Sequence, residues 1–147
     1  MKIDVTVQTE VYVPTDWIET IGEKVLQGEH HHSENPISII MVDDQFITEL
    51  NQTYFKKKCA TDVISFNLNN DEFPGEKGSA WGEIYISVER AREQASEYHV
   101  TYQEEIARLV IHGILHLLGF NDQKVRDRDR MTRKENDYLA QINFDNS

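Results

Sequence analysis

The stretch from Thr101 to Asp122 limits the architecture more than any other part of this chain. Thr101-Tyr-Gln-Glu104 has the form of a capping box, which satisfies the first free amides of a helix. The run that follows carries Ile106, Leu109, Val110, Ile111, Ile114, Leu115, Leu117 and Leu118, so nearly every side of the predicted helix is apolar. Such a helix is buried, and other elements must cover it. Gly119 supplies the stop. His112 and His116 are four residues apart and therefore share one face. Two imidazoles in an apolar setting are desolvated and need partners. The turn at Gly119 can return Asp122 to the pair. Two histidines and a carboxylate, with one position left open, make up the composition of a catalytic metal site. Zn²⁺ is the expected ion, although a 2-His-1-carboxylate set also suits Fe²⁺ or another divalent metal.

The elements able to cover that helix are legible on either side of it. Ile3 to Gln8 alternates apolar and polar residues and reads as a half-buried strand, not as a signal peptide. Pro14-Thr15-Asp16 reads as a capped start to a helix carrying Trp17, Ile18, Ile21, Val25 and Leu26, which runs out at Gly28. After a polar loop over 29–36, Ile37–Val42 is a β-rich run, and Asp43 or Asp44 then caps a helix bearing Phe46, Ile47, Leu50 and Tyr54. Thr61–Phe66 and Trp81–Ile86 read as further strands, separated by a loop over 67–78. Ser87 opens a helix to about Tyr98, and a last helix spans about Val125 to Ile142 with Met131, Tyr138 and Leu139 inward. The tail 143–147 is expected to fray. Strands and helices mix without strict alternation, so one sheet with helices packed on it is expected, within a single domain over residues 1–147.

Nothing approaches the ~20 consecutive apolar residues of a membrane span. The lone Cys59 excludes an internal disulfide framework and fits a reducing, cytoplasmic setting. A net charge of −11 argues against a polyanionic partner when read in bulk. Its distribution argues otherwise: Lys124, Arg126, Arg128, Arg130, Arg133 and Lys134 crowd one segment just after Asp122, and Lys56, Lys57 and Lys58 form a second basic cluster. His99 reads as a helix-end residue and His30, His31 and His32 as loop residues, outside the chemistry.

Position 113 is informative for what it lacks. In an H-E-x-x-H metalloprotease the residue after the first histidine is the general base. Here it is Gly113, so a zinc peptidase lacks its base at the expected place. Glycine there also lets another backbone or a substrate approach closely.

With these residues in view, the chain resembles the YbeY family of rRNA maturation factors, which are metal-dependent endoribonucleases. The family pattern H-G-x-L-H-L-x-G-[YF]-D-H is similar to His112-Gly113-Ile114-Leu115-His116-Leu117-Leu118-Gly119-Phe120-Asn121-Asp122, with Met131 in the next helix. Leu50-Asn51-Gln52-Thr53-Tyr54, Thr61-Asp62-Val63-Ile64-Ser65-Phe66, Gly82-Glu83-Ile84-Tyr85-Ile86-Ser87 and Gln94-Ala95 match other family segments in order. Two positions depart: Asp122 stands where the family has a third histidine, and Phe55 where it has an arginine.

The resemblance implies an α+β fold with a mixed four-stranded sheet, about five helices and a zincin-like metal-binding helix. It further implies single-stranded RNA as substrate, the 3′ end of 16S rRNA as target, a partnership with the small ribosomal subunit and a part in ribosome quality control. On that reading His112, His116 and Asp122 hold Zn²⁺. Lys56, Lys57 and Ser65 assist at the reacting phosphate, and Arg126, Arg128 and Arg130 steer RNA, with no role for DNA. A ribosome-assembly factor with a structural metal site is the alternative, ahead of a peptidase.

Overall fold

The computed structural model describes residues 3–32, 34–57, 59, 61–68 and 80–144. Four strands, β1 (Ile3–Val7), β2 (Ile37–Val42), β3 (Val63–Asn67) and β4 (Gly82–Ser87), form one sheet in the order β1-β2-β4-β3. The β1/β2 and β2/β4 pairs are parallel and β3/β4 is antiparallel, so the sheet is mixed. Five helices surround it: α1 (Thr15–Gly28), α2 (Asp44–Phe55), α3 (Val88–Tyr98), α4 (Tyr102–Leu117) and α5 (Val125–Leu139). Among the described residues, no helix is long and apolar enough to cross a membrane.

Side chains alternate across a strand, and here each face has its own core. Ile37, Ile39 and Met41 of β2 and Ile84 and Ile86 of β4 pack with α1, α3, α4 and α5. Ile40 and Val42 point the other way, joining Ile64, Phe66 and Ile47 of α2. With both faces covered, β2 is a near-continuous apolar run, as expected of an interior parallel strand. Helix α4 lies in the larger layer, with Ile106, Ala107, Leu109, Val110, Ile111, Ile114 and Leu115 almost fully buried.

Most helix boundaries follow the capping chemistry of the sequence. Asp43 caps α2 by accepting from the Phe46 amide at 2.8 Å, while Asp44 lies in the first turn and accepts from Ser87 Oγ at 2.5 Å. Thr101 caps α4 through the Glu104 amide at 3.1 Å. The cap expected on α1 is absent: Pro14 occupies the N-cap and offers no side-chain acceptor. Thr61 and Asp62 precede β3, which opens at Val63, although the Asp62 carbonyl still accepts from the Ser87 amide. Helix α5 ends at Leu139, short of Ile142. Asn143 and Phe144 are docked, not frayed: Trp17 Nε1 donates to the Asn143 carbonyl at 3.3 Å, and Phe144 meets the Trp17 ring edge-on. Residues 145–147 and most of the expected loop over 67–78 lie outside the described residues.

Two glycines place α4. At its end, Gly119 has φ +105°, its amide bonds the His116 carbonyl, and the Phe120 amide bonds the Leu115 carbonyl. These are the two bonds of a Schellman turn, which requires a left-handed residue at that position. Within the helix, a Cβ on Gly113 would stand 2.7 Å from Ile84 Cγ2, so glycine brings α4 tight against β4. Gly113→Ala is expected to destabilise the domain by about 1 kcal/mol in urea unfolding. Overpacking costs about 1–3 kcal/mol, against a helix-propensity gain of about 1. Unchanged or raised stability would show that Ile84 yields freely.

Candidate functional site

Strand β3 is a sheet edge, and α4, which packs against it, carries a polar stripe there. Glu105, Arg108, His112 and His116 recur at helical spacing along that stripe. The two imidazoles are nearly parallel, 4° apart with centroids separated by 6.5 Å. The Schellman turn then returns the chain so that Asp122 Oδ2 is 3.9 Å from His112 Nε2. These three side chains, with Asn51, Phe55, Thr61, Asp62, Val63, Ile64 and Ser65, line an open cleft of about 320 Å³. Burial differs from the sequence expectation. His112 is 23% exposed, whereas His116 lies on the surface, on the face of the last turn of α4 opposite the buried Ile114, Leu115 and Leu117.

His112 is held from behind. Its Nδ1 lies 2.7 Å from Oε2 of Glu135, a buried residue of α5. Arg108 Nη1 is 3.8 Å from the other Glu135 oxygen and pairs in bidentate fashion with the buried Glu105. With Nδ1 engaged, Nε2 faces Asp122 and the cleft. Burial disfavours the imidazolium, but the Glu135 hydrogen bond and the fields of Glu135, Asp122 and Asp62 outweigh it and hold the His112 pKa above the ordinary histidine range. Neither glutamate was singled out from the sequence. The signal was there for Glu135, which shares the inward stripe of α5 with Met131 and Tyr138.

The opposite wall is tied in by polar contacts. Ser65 Oγ donates to the Gly113 carbonyl at 3.2 Å. Asp62 accepts from Gln94 Nε2 at 3.2 Å. Asn51 Nδ2 donates to the Cys59 carbonyl at 3.0 Å, fixing the end of α2 to the segment that leads into Thr61.

Ser65 is thus brought to His112, His116 and Asp122, while Lys56 and Lys57 are not among the lining residues. Both lysines are exposed just past α2, with Lys56 left-handed at the C-cap. Arg126, Arg128 and Arg130 are exposed on α5, and Arg130 lies over the Phe120 ring, 5.1 Å from its centroid. Among the described residues lining the cleft there is no lysine or arginine. Among the described residues, no three His, Cys, Asp or Glu side chains, the set of His112, His116 and Asp122 included, are close enough as they stand to hold a metal ion.

An α+β domain that opens a His-x-x-x-His helix onto a cleft at its sheet edge defines a class of small domains with a histidine- and carboxylate-lined site. Within that class, the chain belongs to the family described as Endoribonuclease YbeY, whose model matches residues 4–143. It is 36% identical over 142 residues to Endoribonuclease YbeY of Chloroherpeton thalassium, covering 97% of this chain and 96% of that protein. It is 37% identical over 132 residues to Endoribonuclease YbeY of Pelotomaculum thermopropionicum, covering 88% and 87%. The solution structure of TM1509 from Thermotoga maritima superposes with a TM-score of 0.62 at 26% identity, covering 93% of this chain and 86% of that one.

Proposed function

We propose that this protein is a metal-dependent endoribonuclease that cuts single-stranded RNA in rRNA maturation, with His112, His116 and Asp122 as ligands to one divalent ion, Zn²⁺ first among candidates. One observation carries the reading: both imidazoles and the carboxylate border a cleft whose described lining holds two carboxylates and no lysine or arginine. Such a cleft repels a phosphodiester unless a cation neutralises it. The donor set suits that cation, since neutral imidazole and carboxylate are zinc ligands and leave a coordination position open.

The chain's own residues supply the orientation. Glu135 accepts from His112 Nδ1 and so selects the tautomer with a free Nε2 lone pair, the usual arrangement behind a metal-bound histidine. His116 and Asp122 are exposed, so their rotamers are free to close on an ion. Ser65 and Gly113 hold β3 against α4, keeping the walls in register. A bound divalent ion supplies Lewis acidity toward a phosphoryl oxygen and lowers the pKa of coordinated water. Lys56 and Lys57, at the end of α2, and at most two of Arg126, Arg128 and Arg130, which cannot all share one face of α5, supply the phosphate-attracting charge that the cleft lacks. The 3′ end of 16S rRNA on the small subunit, in the cytoplasm, is the proposed target, with ribosome quality control as the setting.

The test combines activity with metal content. Purified protein is expected to carry about one equivalent of a divalent metal and to cut single-stranded RNA in preference to duplex. Chelator should abolish cutting, and Asp122→Ala should lose both metal and activity. Metal retained without cleavage would favour the assembly-factor alternative, and cleavage insensitive to chelator would sink the metal mechanism.

A further inference from the structure

Aromatic side chains run through the smaller core and break the surface beside the cleft. Phe46 stacks on Tyr85 at 5.9 Å, Tyr85 meets Phe66 edge-on at 5.9 Å, and Phe66 contacts both Tyr54 and Phe55. Phe66 is buried, whereas Phe55 is 46% exposed. The Phe55 and Phe66 rings are near parallel, 14° apart with centroids 6.0 Å apart. One side of the Phe55 ring is thus supported by the core. Of these aromatic residues, Phe55 alone also lines the cleft shared by His112, His116 and Asp122.

Other large side chains are also exposed on this surface, but Phe55 is the one whose ring is both backed by Phe66 and open to the cleft, so a flat partner could cover its free face. The site offers no apolar pocket around it: the other lining groups are mainly hydroxyls, amides, carboxylates and imidazoles. A flat partner with a π-face and a polar, negatively charged remainder fits both features. A nucleobase in single-stranded RNA is such a partner, and every base has a face to offer. Stacking would also hold the strand while the adjoining phosphate meets the histidines, doing by π-contact what a cation does by charge. Lys56 and Lys57 follow directly in the chain and lie on the surface, where backbone phosphates would pass.

We propose that Phe55 is a nucleobase-stacking platform that seats an unpaired base of the substrate next to the phosphodiester to be cut. The proposal rests on the single-stranded RNA reading above.

The test measures binding apart from cleavage. A labelled single-stranded RNA with hydrolysis-resistant phosphorothioate linkages is titrated by fluorescence anisotropy with metal-loaded protein, and a gel verifies that the strand stays intact. Phe55→Ala and Phe55→Leu are expected to weaken binding by roughly 5- to 100-fold, the range for losing one base–aromatic stack, while Phe55→Trp retains it. On adding RNA, the Phe55→Trp protein should show quenching beyond that of the wild type, whose Trp17 and Trp81 set the baseline. An oligomer of abasic ribose phosphates should bind all four proteins alike. Circular dichroism and urea unfolding establish that each variant is folded. Equal RNA affinity across folded wild type, Phe55→Ala and Phe55→Leu overturns the platform and leaves the nuclease reading intact. A wild type that neither binds nor cuts RNA overturns both.

Discussion

Replacing His116 by alanine is expected to lower RNA cleavage by roughly two orders of magnitude or more while leaving stability within about 0.5 kcal/mol of wild type. The separation of these effects follows from where the side chain sits. His116 is the exposed residue in the last turn of α4, so truncation removes the proposed metal donor but no buried side chain. With one imidazole lost, two protein ligands remain, too few for a catalytic zinc site of the usual three. His112→Ala should differ. It abolishes activity too, but it also leaves the buried carboxylate of Glu135 facing an empty position, so stability falls as well. Cleavage rate, bound metal and urea midpoint, measured side by side on both variants, check the pair. Wild-type cleavage by a metal-free His116→Ala protein would remove the histidine from the reaction.

How far such a site can be read from sequence depends on whether its partners are local. The cap at Thr101, the apolar run, the glycine stop and the His112/His116 spacing are short-range features, and the structure realises each of them. The four strands were also legible, because each is a short β-rich run between turn residues. What the residues alone left open is long-range. The Asp62 carbonyl belongs to the end of a ladder with Ser87, which no local pattern around Thr61 reveals. Docking of Asn143 and Phe144 on Trp17 depends on how the two chain ends meet. The exposure of His116 reflects which face of α4 the other elements leave uncovered, not the composition of the helix. Glu105 and Glu135 looked like ordinary solvated charges in segments rich in them, and only the packing of α5 against α4 makes them a buried pair of acids bracketing Arg108.

Glu135 is therefore where the largest combined effect on stability and metal binding is expected. Its carboxylate is 8% exposed and faces His112 on one side and Arg108 on the other. Glu135→Ala takes the anion from between two cationic groups. Breaking a buried pair costs about 3–5 kcal/mol, and the partial exposure of His112 and Arg108 reduces this to about 2–4. Glu135→Gln keeps the shape and removes the charge, which isolates the electrostatic part. Without that charge the His112 pKa should fall back toward or below the ordinary range, since Glu135 is the principal group raising it against burial. The sign of the pH dependence follows. A raised folded-state pKa contributes stability that is fully present below the unfolded value of about 6.5 and is lost as pH climbs through the folded value. In metal-free protein this downward slope should flatten in Glu135→Gln. On the proposed site, metal uptake should run the opposite way in the wild type, because the ion would compete with a proton for Nε2 and bind more strongly as pH rises through the same range. Loss of the orienting carboxylate should still weaken metal binding by about 10- to 100-fold at a pH where His112 is neutral in both proteins. An NMR titration of the His112 ring, with metal affinity measured at two pH values, reads these terms separately. If Glu135→Gln leaves the His112 titration and the affinity at the higher pH unchanged, Glu135 does not orient the imidazole, and the support for His112 must lie elsewhere in the packing of α4.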